Sequence, residues 1–103
     1  MFFNNPKVRQ FLLREKEVYT LRKKKRREGR DSLVMGRLFK TKKIGTGHIS
    51  LVKQINGLTP TKIKPYVKKS GFKRSEDWFE ALKTFTQGNV PKTVYLYRIS
   101  LIR

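Results

Sequence analysis

The stretch that most constrains this chain is residues 18–31, VYTLRKKKRREGRD. In its first half Val18, Thr20 and Arg22 alternate with Tyr19 and Leu21, and β-branched or aromatic residues dominate. That is the period-two signature of a strand. In its second half seven of the nine residues from Arg22 to Arg30 are Lys or Arg, after which Gly29 and Asp31 supply turn chemistry. A rigid strand therefore hands over to a highly positive loop, an arrangement that holds a phosphate-contacting segment at a fixed place on a fold.

The rest of the composition sharpens this. The chain has 103 residues, the size of one domain spanning 1–103. It carries 26 Lys and Arg against 7 Asp and Glu, a formal charge of +19. Self-repulsion at that charge opposes compaction, so a polyanionic partner is expected, with nucleic acid the first candidate. A surface adapted only for solubility would mix the two signs more evenly. Cysteine is absent, which rules out disulfides and thiolate metal sites. The single histidine, His48, has no second His or Cys to share a metal with, so no metal or other cofactor is expected. No window approaches the roughly 18 apolar residues of a membrane span, and the N-terminus lacks a signal-peptide core. The expectation is a soluble cytoplasmic protein without a membrane partner.

In chain order, Met1 to Phe3 reads as a short strand or packed arm. Asn5-Pro6 is an N-cap followed by proline at the first helical position, and Val8, Phe11, Leu12 and Glu15 continue a helix to about Arg14. After the basic loop, residues 32–39 form a second strand with Leu33, Val34, Met35 and Leu38 apolar and Gly36 at a bend. Lys40 to Lys43 reads as a basic connection, Gly45-Thr46-Gly47 as a turn, and His48 to Ile55 as a third strand ended by Asn56-Gly57. Thr59-Pro60 opens a helical segment that Pro65 interrupts, and Ser70-Gly71-Phe72 stops it. Ser75 is expected to cap a further helix, with Glu76, Asp77 and Glu80 at its positive end and Trp78, Phe79, Leu82 and Phe85 on its core face. Residues 93–102 give the clearest strand, with Val94, Leu96, Arg98 and Ser100 alternating with Tyr95, Tyr97, Ile99 and Leu101. The order is that of an α+β fold.

Charge is segregated along this chain. Between Ser32 and Ser75 there are eleven Lys or Arg and no acid, which predicts a positive face. Tyr19, Phe39, Tyr66, Phe72, Tyr95 and Tyr97 lie near basic residues, and any that is exposed can stack an unpaired base. His48, flanked by Gly47 and Ile49, is read as structural, with a phosphate-contacting turn over residues 45–48 as the alternative. No Ser-His-Asp grouping and no P-loop is present.

The strand ending in Arg22, the basic loop, the strands, the segment SGFKRSEDWFEALKTF and the terminal strand VYLYRISLI together resemble the ASCH domain family of the PUA-like superfamily. Gly71-Phe72 and Glu76-Asp77-Trp78-Phe79 carry the later part of that resemblance, which covers nearly the whole chain. It implies a small PUA-like β-barrel with flanking short helices, and RNA bound in a basic cleft. A few ASCH members hydrolyse amide or phosphodiester bonds with the Lys and Glu of a G-x-K-x-x-E-x-R motif. With Arg22 as the motif arginine, Thr20 stands in the place of its Glu, Glu17 in that of its Lys and Glu15 in that of its Gly. This departure favours binding over catalysis, so no catalytic residue is assigned. The alternative is a small hydrolase acting on RNA or a modified nucleoside. The expected partner is nucleic acid, RNA in preference to DNA, within a ribonucleoprotein in one version of this reading. Arg22 is placed at the cleft wall. Lys23, Lys24, Lys25, Arg26, Arg27 and Arg30 are placed on phosphates, with Lys40, Lys42 and Lys43 extending the surface.

Overall fold

The computed structural model describes residues 1–37 and 39–102. It is an α+β fold in the order α1 (Pro6–Glu15), β1 (Glu17–Arg22), β2 (Gly29–Arg37), β3 (Lys40–Asn56), α2 (Pro60–Ile63), a 3₁₀ helix (Lys64–Lys69), α3 (Ser75–Phe85) and β4 (Thr93–Leu101). The strands form one antiparallel sheet in the order β1-β4-β3-β2. Leu38, read above as an apolar strand residue, lies outside the described residues.

Helix α1 starts where the Asn5-Pro6 pair places it: the Asn5 side chain accepts a hydrogen bond from the Lys7 amide at 2.9 Å, a cap worth about 1 kcal/mol. It stops at Lys16, which takes the left-handed conformation (φ 67°) usual for a residue just past a helix end. The chain then enters β1 at once, and the Leu101 amide donates to the Lys16 carbonyl at 2.8 Å. Helix α3 begins at Ser75, one residue earlier than a serine cap would have it. Arg74 is the capping residue and offers no side-chain bond, while Glu76 and Asp77 occupy the first turn as the charge pattern predicts. The 59–70 segment is a single turn of α-helix from Pro60 followed by a 3₁₀ helix containing Pro65. Gly71, at φ 90°, ends it. A Cβ on Gly71 would fall 3.1 Å from the Val8 Cα, so glycine also lets this bend lie directly against α1.

Strand β3 is the main departure from the sequence reading. It runs unbroken for 17 residues through both segments expected to be loops, Lys40 to Lys43 and Gly45-Thr46-Gly47. Its first half pairs with β2 (Arg37 opposite Lys40, Leu33 opposite Gly45) and its second half with β4 (Ile49 opposite Ile99, Ile55 opposite Val94). Gly47 pairs on both sides, with Asp31 and with Leu101. A Cβ there would sit 2.8 Å from Leu33 Cδ1 and 3.2 Å from Ile99 Cγ2. Gly47 therefore serves close approach of side chains across the sheet rather than a turn.

Period two splits the sheet into two apolar layers. On one face Val18, Ile49, Leu33, Tyr97 and Ile99 pack with Phe3, Val8 and Leu12 of the N-terminal arm and α1. On the other Leu21, Ile55, Val94 and Leu96 pack with Leu58, Ile63, Trp78 and Leu82 beneath the later helices. Each of these withdrawn side chains contributes about 1.5–3 kcal/mol of burial.

The sheet does not close into the expected barrel. The arm pairs with the free edge of β2: the Phe3 amide donates to the Val34 carbonyl at 2.8 Å and the Val34 amide to the Met1 carbonyl at 2.9 Å. Among the described residues no backbone ladder joins this arm to β1. What crosses the gap is one side chain, as Arg22 Nη2 at the end of β1 donates to the Phe2 carbonyl at 2.9 Å.

Candidate functional site

The basic loop leaves β1 at Arg22, beside Tyr95 of β4, and rejoins the sheet at Gly29, opposite Ile49 of β3. To get there it passes over β4 and β3, and two contacts fix its backbone on the way. The Arg26 amide donates to the Tyr97 hydroxyl, and that hydroxyl donates to the Arg26 carbonyl at 3.1 Å. Tyr97 is fully buried, so its hydroxyl finds its partner in the loop that covers it, as buried phenols require. Two residues on, a Glu28 carboxylate oxygen accepts from the Leu51 amide at 2.9 Å. That amide lies at the irregularity where β3 slips register against β4. The loop's only acid is thus spent on the backbone.

Lys23, Lys24, Lys25, Arg26 and Arg27 are all exposed, and among the described residues none of the five forms an ion pair. Five neighbouring cations on a pinned main chain make a local positive surface that ions from solution, or a polyanion, must neutralise. Arg30 follows on β2, exposed, in a row with His48 and Ser100 on the face away from α1.

Arg22 is turned inward. Beyond its bond to Phe2, its guanidinium carbon lies 5.1 Å from the centre of the Phe3 ring, and its Nε is buried without a hydrogen-bond partner in the protein. Burial, and secondarily the nearby positive charge of Arg26, lower its pKa from the ordinary arginine value to about 10. It remains a cation at neutral pH, held at a cost, and its donor fork faces the arm.

Lys40, Lys42 and Lys43 are exposed on the first half of β3, where they line a two-stranded hairpin with Arg37. The hairpin bends at Gly36, where φ is 114° and a Cβ would fall 2.0 Å from the Lys40 carbonyl oxygen, so the position admits glycine alone. The Asn4 side chain braces this bend, donating to the Gly36 carbonyl at 3.1 Å and accepting from its amide at 2.8 Å. The basic loop enters β2 at its first residue and the hairpin leaves at its ninth. At about 3.3 Å per residue the two groups of cations stand at opposite ends of the strand and form two patches.

Of the aromatic candidates, Phe39 is fully exposed at the hairpin end. Tyr97 is buried, Tyr19 and Tyr66 pack edge to face at 5.4 Å, and Phe72 and Tyr95 pack against the core. Residues 45–48, for which a phosphate-contacting turn was the alternative reading, lie within the β2–β3 ladder instead.

Three features were not read from the sequence. Phe85, assigned there to the core face of α3, is 73% exposed, and the Lys23 ammonium lies over its ring, 6.0 Å from the centroid. Its spacing from Trp78 and Leu82 is that of a buried stripe, but the layer beneath α3 reaches Leu82 and not Phe85. Glu17 accepts from Arg98 and, at 3.1 Å, from Lys69, joining β1, β4 and the 3₁₀ helix. The Arg98 bond, reinforced by Lys69, holds the Glu17 carboxyl below its ordinary value of 4.5 against the opposing effect of burial. Finally, a shallow cavity of about 310 Å³ lies between α1 and residues 71–73, lined by Lys7, Phe11, Arg14, Phe72 and Lys73 among others.

Among the described residues no three His, Cys, Asp or Glu side chains are grouped as a metal site, and no helix is long and apolar enough to cross a membrane. Compared with family models, with curated proteins and with solved structures, the chain matches none.

Proposed function

We propose that this protein binds RNA, with the loop from Lys23 to Arg27 and the adjoining Arg30 as the primary contact. The observation that carries the reading is the state of that loop: five exposed, unpaired cations on a main chain fixed at Arg26 and Glu28. A fixed backbone limits the ordering that binding would otherwise require, and clustered cations gain affinity by releasing counterions from a phosphate chain. The hairpin cations Lys40, Lys42 and Lys43 form a second patch for more distant phosphates of the same strand. RNA is preferred over DNA because the resemblance to the ASCH family implies it. In this reading the four-stranded sheet is an open form of the PUA-like barrel, with Arg22 a brace across the opening. A ribonucleoprotein is the natural setting.

Salt titration tests the proposal. Six phosphate contacts on a single strand give a slope of log K against log salt of about −4.2, so affinity falls about 300-fold between roughly 50 and 200 mM salt. Lys24→Ala shallows the slope by about 0.7. A change of less than about threefold over the same range would remove electrostatics, and the proposal with it.

A further inference from the structure

From the contact between Phe85 and Lys23 we infer that the Phe85 ring is a stacking platform for an unpaired RNA base, set beside the basic loop and conferring preference for single strands. The inference rests on the RNA reading above and deepens it.

Phe85 is the last residue of α3, and 73% of it is open to solvent. A large apolar ring left so exposed gains little for folding. The group that lies over it is the ammonium of Lys23, the first residue of the loop. At 6.0 Å this is the outer limit of a cation–π contact, held by a flexible four-carbon stem that leaves readily when a base takes its place. The displaced ammonium is then within a side chain's reach of that nucleotide's own phosphate. An aromatic face next to a cation that tracks the backbone is the pairing on which single-strand binders rely. A base inside a duplex has both faces covered by its neighbours and cannot use such a platform.

The end of α3 suits this role in two further respects. Gln87 and Gly88 take positive φ values (58° and 87°) and turn the chain sharply away after the helix, which leaves the ring at a corner. Thr86 closes the helix by donating from its hydroxyl to the Leu82 carbonyl at 3.1 Å, so the corner is anchored one residue from the ring. Phe39 is the built-in comparison, because it too is exposed and flanked by cations. It stands at the far end of β2, away from the loop.

The experiment compares wild type, Phe85→Ala, Phe85→Trp and Phe39→Ala by fluorescence anisotropy on a short single-stranded RNA and a duplex RNA of equal length, each at several salt concentrations. Phe85→Ala should weaken single-strand binding roughly 5- to 150-fold, the range of one lost base–aromatic stack. Duplex binding and the salt slope should stay nearly unchanged. Phe85→Trp should retain affinity, and its added indole emission should be quenched by single strands. The melting temperature of each variant checks that the fold is intact. Equal losses on both RNAs, no loss at all, or a single-strand loss confined to Phe39→Ala would overturn the inference while leaving the RNA reading in place. So would selective loss of binding to phosphatidylserine vesicles, which would make the ring a membrane contact. Failure of wild type to bind either RNA would remove both.

Discussion

Arg22 offers the sharpest test of how this fold is held together. Its charge is retained against burial, which lowers its pKa to about 10 and disfavours the folded cation by on the order of 3 kcal/mol, at roughly 1.4 kcal/mol per unit. Against this stand its hydrogen bond to the Phe2 carbonyl, about 1.5–3 kcal/mol for a charged donor, and its position over Phe3, about 0.5–2 kcal/mol. These terms nearly cancel, so most of what Arg22 contributes should come from the methylene stem it packs beside the arm. Arg22→Met keeps an apolar stem and removes the charge and the unpartnered Nε. Phe2 is 48% exposed, so water can satisfy its carbonyl. The expected outcome is stability within about 1 kcal/mol of wild type, whereas Arg22→Ala should cost about 2–3 kcal/mol for the lost stem. Urea unfolding followed through the buried Trp78 gives both numbers. The pH dependence supplies a second readout. A cation whose folded pKa is depressed leaves the unfolded chain binding more protons in a window that begins near pH 10, so stability rises with pH across that window. Groups common to both proteins cancel in the comparison. The wild type should therefore gain on Arg22→Met as pH rises through the window. If Arg22→Met proves as damaging as Arg22→Ala, the guanidinium itself is the clamp and the cancellation argued here is wrong.

Three further outcomes follow from the same geometry. Trp78→Ala should cost about 3–5 kcal/mol, because the indole is only 4% exposed in the second apolar layer; a melting temperature within a degree or two of wild type would contradict that packing. Tyr97→Phe should cost about 1–2 kcal/mol through the lost hydroxyl and weaken the RNA binding proposed above with an unchanged salt slope, since the loop keeps its charges and loses its pin; unaltered affinity would mean the pin is irrelevant to that binding. For Glu17, a depressed folded pKa means stability present above the ordinary value of 4.5 and lost as pH falls through the lower folded value. The gap between wild type and Glu17→Gln, measured by urea unfolding, should accordingly be widest near neutrality and shrink at acid pH.

Much of the fold was legible where one local rule dominated. The Asn5-Pro6 cap, the alternation in β1 and β4 and the acidic first turn of α3 each placed their element to within a residue or two. The errors arose where two rules conflicted. Lys40 to Lys43 reads as a loop by polarity, yet this part of β3 pairs only with β2 and has little packed on it, so polar residues suit both faces. Glycines at 45 and 47 signal a turn in isolation, and only the neighbouring Leu33 and Ile99 show that the missing Cβ of Gly47 is needed for packing. Phe85 has the spacing of a core residue and lacks a layer to cover it, which no helical period encodes. For the candidate site, the sequence located the cations of the loop but not the hydroxyl of Tyr97, 71 positions along the chain from Arg26, that fixes their backbone.

The way β3 divides its length between two partners also carries a prediction about the order of assembly. Its first half and β2 are neighbours in sequence and form a local hairpin, inexpensive in loop-closure entropy. The pairing of β1 with β4 joins distant parts of the chain, from Glu17 opposite Ser100 to Arg22 opposite Tyr95. Contacts of such long separation are the slow ones in folding. The basic loop hangs between these two events: one end is tethered by the early hairpin, while its hold on Tyr97 exists only once β4 has docked. A chain emerging from synthesis should therefore hold its five loop cations without the Tyr97 pin, through Glu28 alone, until β4 is made. Pulse-labelled hydrogen exchange during refolding should find the Arg26 amide protected no earlier than the amides of β4.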